Sequence, residues 1–147
     1  MLNINDIVVA LTQQIATDSA VLAGDYRVEQ STYINMDPDM TPWIGVYKGP
    51  VNYAPGSLGR HAQSWEATLK LTIIVQAAHG GDAAVCSERL AQYEQTVLDA
   101  VWSDPTLGGL VDMITGLDIE YSYNNTESET MYHQQSIITV TAEARAG

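Results

Sequence analysis

The chain has 147 residues, with six Lys and Arg against eighteen Asp and Glu, for a formal net charge of −12. That length fits one domain with a sizeable core, and the charge excludes a phosphate-clamping surface, which needs clustered Lys and Arg. Hydrophobic residues make up 46% of the chain, as in globular domains, and no run approaches the ~18 consecutive apolar residues of a membrane span.

Residues 3–17 have the spacing of an amphipathic helix. Ile4, Ile7, Val8, Leu11 and Ile15 recur every three or four residues, with Asn3 or Asn5 available as the cap. The same opening segment, MLNINDIVVALTQQIA, lacks the basic start and small-residue cleavage site of a secretion signal, so cytoplasmic synthesis is expected. Gly24 and Asp25 break the chain. Tyr26, Val28, Gln30, Thr32 and Ile34 then alternate as one face of a strand. MDPDMTP, residues 36–42, reads as a turn because Pro38 and Pro42 oppose helix, and WIGVY at 43–47 as a short strand.

Residues 48–64, KGPVNYAPGSLGRHAQS, are expected to form a long loop, of a length that is usually functional or disordered. The clearest strand follows: Trp65, Ala67, Leu69, Leu71, Ile73, Val75 and Ala77 point one way and mostly polar neighbours the other. HGGD at 79–82 turns the chain into a second helix capped by Asp82. Ala83, Cys86, Leu90, Tyr93, Val97, Ala100 and Val101 form its stripe. Leu117, Ile119, Tyr121 and Tyr123 alternate as a strand, and Met131–Ala144 returns as its hairpin partner across the polar turn at 124–129. This order predicts a two-layer α+β fold: a mixed or antiparallel sheet of about five strands, with two helices packed on one face.

Chemistry-bearing patterns are sparse. The Gly108–Gly109 pair lacks the lysine of a phosphate-binding loop and follows a helix rather than opening one. With Pro105 before it, the pair reads as a helix stop. His61, His79 and His133 form no i, i+4 pair, and the single Cys86 excludes an internal disulfide and a multi-cysteine metal site. His79 and Asp82 are better explained by a capped turn than by a metal. Asp37 and Asp39 flank Pro38 as solvated turn residues rather than an acid–base pair. Asn124 begins a glycosylation-type triplet, but no secretion signal would bring it to that machinery. No cofactor, metal or catalytic residue is therefore expected. The acidity is explained by solubility, by docking to a basic partner, or by lining a passage through which a polyanion slides without sticking.

Several stretches in this order resemble one family. They are the short first helix, TPWIGVYKGP before the long segment, WEATLKLTIIVQA, and SERLAQYEQTVLDAVWSDPTLGGLVDMITGLDIEY. Together, over residues 4–142, the layout resembles the tail terminator (minor tail protein U-like, or tail completion) proteins of long-tailed bacteriophages. The resemblance implies a non-enzymatic subunit of a hexameric homo-oligomeric ring at the head-proximal end of the tail, made in the host cytoplasm and carried in the virion. One ring face stops polymerisation of the tail tube protein, and the other docks the head–tail connector protein. DNA passes through without specific binding, and no membrane is involved.

On that reading Tyr47, Tyr53, Arg60, His61 and Trp65, in the long segment and at its roots, are candidates for the subunit or tube interface, and Asp37 and Asp39 for lumen acids. Another neck or tail ring component, such as a head-completion or tube-like protein, shares these features. An acidic monomeric binder, such as an immunity protein or nucleic-acid mimic, would differ in oligomeric state. An enzyme would be marked by a pocket of convergent, perturbed acids.

Overall fold

The computed structural model describes residues 2–30, 41–55, 65–124 and 131–146. In chain order the elements are α1 (Ile4–Ala16), α2 (Ser19–Ala23), β1 (Arg27–Glu29), β2 (Trp43–Pro55), β3 (Trp65–Gly80), α3 (Ala83–Trp102), β4 (Met113–Asn124) and β5 (Met131–Ala146). The strands form one five-stranded mixed sheet in the order β1-β2-β3-β5-β4. β1 runs parallel to β2, and every other neighbouring pair is antiparallel. The expected α+β architecture is present, with α1 and α3 on one face.

Each helix starts where a side chain can accept the orphaned N–H groups of its first turn. Asn3 Oδ1 accepts from Asp6 N at 3.3 Å, and Asp82 Oδ1 accepts from Ala84 N at 2.9 Å. Asp18 does the same for α2, a short helix between the first predicted helix and the break at Gly24 and Asp25, where the sequence analysis assigns no element. The apolar stripe of α1 (Ile7, Val8, Leu11, Ile15) and that of α3 (Cys86, Leu90, Val97, Ala100, Val101) are buried. They meet the inward rows of the sheet: Ile44 and Val46 on β2, Leu69 to Ala77 on β3, and Ile138 to Ala144 on β5.

Gln14 ties the two long helices together. Its Nε2 donates to the carbonyls of Ala100, Val101 and Asp104 at 2.9–3.1 Å, so a side chain of α1 serves backbone carbonyls at the C-terminal end of α3.

The glycine pair after α3 does turn the chain. Leu107, Gly108 and Gly109 all have positive φ, at 50°, 70° and 86°. Leu107 tolerates this conformation because its side chain is buried in the core, 2% exposed. Asp104 ties the turn: Oδ1 accepts from Thr106 N and Oγ1, and Oδ2 accepts from Gly108 N.

Two expectations change. Of the strand expected over 26–34, the described residues form Arg27–Glu29; residues 31–40, with the rest of that strand, most of the expected turn and Asp37 and Asp39, lie outside the described residues. The loop expected over 48–64 does not begin at 48. Residues 48–55 continue β2 and pair with Trp65–Leu71. The reason is a β-bulge. Lys48 pairs with Leu71 and Val51 with Leu69, so three steps on β2 oppose two on β3. Gly49 and Pro50 occupy the bulge and disguise a strand as a loop in the sequence.

Candidate assembly interface

Register assigns every strand residue to one of two faces. The helix-side face carries the apolar rows. The opposite face carries Thr68, Lys70 and Thr72 on β3, Thr139, Thr141 and Glu143 on β5, and Asp118, Glu120 and Ser122 on β4, and at one end a buried patch of Trp43, Ile74 and Gln76 beside Ile137. On the four long strands, its acids Glu66, Asp118, Glu120 and Glu143 outnumber its cations Lys70 and Arg145. A cleft of about 150 Å³ lies at one end, lined by Glu66, Asp112, Glu143 and Arg145 among others. Arg145 Nε stands 3.8 Å from Asp112 Oδ2, but both side chains are largely exposed, so the pair contributes little.

The bulge separates the aromatic residues expected to cluster. Tyr47 lies on the open face opposite Thr72. Tyr53, an even number of residues further on, would share that face in a regular strand. The extra bulge residue moves it to the helix-side face opposite Ala67. Trp65, 42% exposed, opens β3 on the same side as Tyr53, opposite Pro55 and Ala146. Arg60 and His61 lie outside the described residues, as do Asp37 and Asp39. Of the expected surface, Tyr53 and Trp65 come together and Tyr47 does not join them.

The surface that sequence reasoning missed is the outer edge of β4. Among the described residues no strand pairs with it. Tyr121 and Tyr123 stand on its helix-side face 50% and 58% exposed, with ring centroids 6.3 Å apart and an interplanar angle of 14°. Tyr121 donates its hydroxyl to Glu94 of α3 at 2.9 Å. That hydrogen bond and the Glu94 charge push the phenol pKa up. At the other end of the sheet, β1 pairs with Trp43–Gly45, and among the described residues no strand pairs with the outer edge of β2 from Val46 to Pro55. The alternation of Leu117, Ile119, Tyr121 and Tyr123 was visible in the sequence. Their place on an outermost strand was not.

Asp82 is occupied as the α3 cap, and His79 lies at the end of β3 opposite Tyr132. Cys86 is buried, with its thiol directed at the carbonyls of Ala77 and Tyr132, and burial pushes its pKa up against the opposing charge of Arg89. Among the described residues no helix is long and apolar enough to cross a membrane.

No protein-family model matches the chain, and neither does any curated protein sequence. Among solved structures the chain is similar to a chain of the virion of a native gene transfer agent particle. The identity is 16%, the match covers 92% of this chain and 93% of that one, and the TM-score is 0.38.

Proposed function

We propose that this protein is a virion component that terminates the tail of a long-tailed bacteriophage. It forms a ring on the head-proximal end of the tail tube, blocks further addition of tube subunits and offers its other face to the head connector. The observation that carries this reading is the division of the sheet. One face is sealed by helices; the other is mostly polar and acid-rich beyond a buried patch of Trp43, Ile74 and Gln76, and among the described residues no strand covers the outer edge of β4 or that of β2 beyond Gly45. A ring built from such subunits, open faces inward, presents a wall whose excess of carboxylates repels DNA and lets it pass. Heterologous ring faces explain termination: one complements the tube, and the other does not copy it.

Purified protein added to polymerising tube subunits should stop growth at a concentration close to that of tube ends. Several subunits engaging one tube end together give strong avidity even where each contact is weak. Unaltered tube length in excess protein would decide against this function, and in favour of a different neck component or a monomeric binder.

A further inference from the structure

We propose that copies of the chain join sheet to sheet, the outer edge of β4 in one copy pairing antiparallel with the edge of β2 over residues 46–55, which no described strand covers, in the next. This proposal rests on the ring reading above and names the contact that builds the ring.

Strand direction permits it. From β2 through β3 and β5 to β4 the direction reverses at each step, so β4 runs opposite to β2. A cyclic ring repeats each subunit in the same sense about its axis, so β4 meets the neighbouring β2 antiparallel. The edges also differ in chemistry. β4, MITGLDIEYSYN, holds Asp118 and Glu120 and no cation. Residues 46–55 of β2, VYKGPVNYAP, hold Lys48 and no acid. Pairing β4 with a second β4 would set the acids against each other, which disfavours a two-fold contact.

One register keeps both faces continuous. β1 occupies β2 up to Gly45, so the incoming strand starts with Tyr123 opposite Val46. Tyr121 then meets Lys48, and Glu120 meets Gly49. With Pro50 taken up by the bulge, Ile119 falls opposite Val51, Asp118 opposite Asn52 and Leu117 opposite Tyr53. Every helix-side residue of β4 from Leu117 to Tyr123 thus meets a helix-side residue of β2, and the open-face residues between them meet likewise. Leu117, Ile119, Val51 and Tyr53 are each only half-buried in the single subunit, and this contact completes their burial. Pro50 lacks an N–H and interrupts the ladder there, and the same bulge opposes sliding by one residue.

The bare Gly49 matters too. A Cβ there would come within 2.7 Å of the Lys70 carbonyl oxygen. Its absence leaves the exposed Lys70 ammonium a clear path over the edge towards Glu120 of the neighbour, two strand spacings or ~10 Å away backbone to backbone. Among the described residues Lys70 has no ion-pair partner within its own subunit.

The test combines native mass measurement with charge reversal and cross-linking. Lys70→Glu and Glu120→Lys should each weaken assembly by about three- to tenfold per interface at low salt, since attraction becomes repulsion in an exposed pair. An equimolar mixture of the two should restore assembly, because every contact then joins opposite charges. The double variant Asn52→Cys/Asp118→Cys should give a ladder of disulfide-linked oligomers on oxidation, and neither single variant should. A wild-type ring that is indifferent to both reversals and yields no ladder would overturn the edge pairing while leaving the ring reading intact. A monomeric wild type would overturn both. Disulfide-linked dimers from Asp118→Cys alone would show β4 meeting β4 and overturn the proposed contact.

Discussion

The indole of Trp43 lies across Gly45, two residues along the same strand and face: a Cβ on Gly45 would sit 2.4 Å from Trp43 Cη2. Trp43 is fully buried, so the ring cannot swing aside at little cost. Gly45→Ala is expected to destabilise the fold by about 1–3 kcal/mol through overpacking. Denaturant unfolding checks this, with a lower midpoint and an unchanged slope expected.

Gln14 joins α1 to the end of α3 through three carbonyls. Gln14→Ala removes this donor, leaving Ala100 O only its hydrogen bonds from Ser103 N and Oγ. A loss of about 1 kcal/mol is expected, the net worth of a typical hydrogen bond. Hydrogen exchange should show faster opening in the last turn of α3, with the first turn unchanged. Equal exchange at both ends would mean that Gln14 does not cap the helix.

Asp104 holds the turn after α3 as a carboxylate. Hydrogen bonds from the Thr106 hydroxyl, then from the Gly108 and Thr106 N–H groups, keep its pKa below the ordinary 3.8. A depressed folded-state pKa favours the folded state at pH above the unfolded value, and this contribution is lost as pH falls through the folded pKa. Wild type should therefore exceed Asp104→Asn in stability at neutral pH, with the gap closing as the solution is acidified below about pH 4. Thermal unfolding of both proteins across that range is the measurement. A gap that stays constant with pH would rule out the carboxylate charge as its source.

Residues 50–55 are structural rather than a dispensable loop. Val51 to Pro55 each face a partner on β3. Replacing 50–55 with a Gly/Ser linker should destabilise the fold by roughly 1–5 kcal/mol, at ~0.2–1 kcal/mol for each cross-strand pair lost. Circular dichroism with urea titration distinguishes this from the near-neutral behaviour of a lengthened or simplified loop.

Periodicity alone determined the helix of α1, the whole of α3, and the alternation of β3 and β4, because burial against one face imposes a repeat that side chains must follow. It also identified the Asp82 cap and the helix stop at Gly108–Gly109, since those depend on neighbouring residues only. Local sequence could not reveal that residues 48–55 form a strand. Gly49 and Pro50 are loop residues by every local rule, and their bulge is held by pairing with β3, far along the chain. For the same reason the sequence does not show that Tyr47 and Tyr53 lie on opposite faces, which the one-residue insertion decides. The capping of α3 by Gln14 spans 86–90 residues of sequence and leaves no local trace. Strand order is likewise a tertiary decision: only the packed sheet makes β4 an outer strand, and so turns an ordinary alternating row ending in Tyr121 and Tyr123 into an open edge.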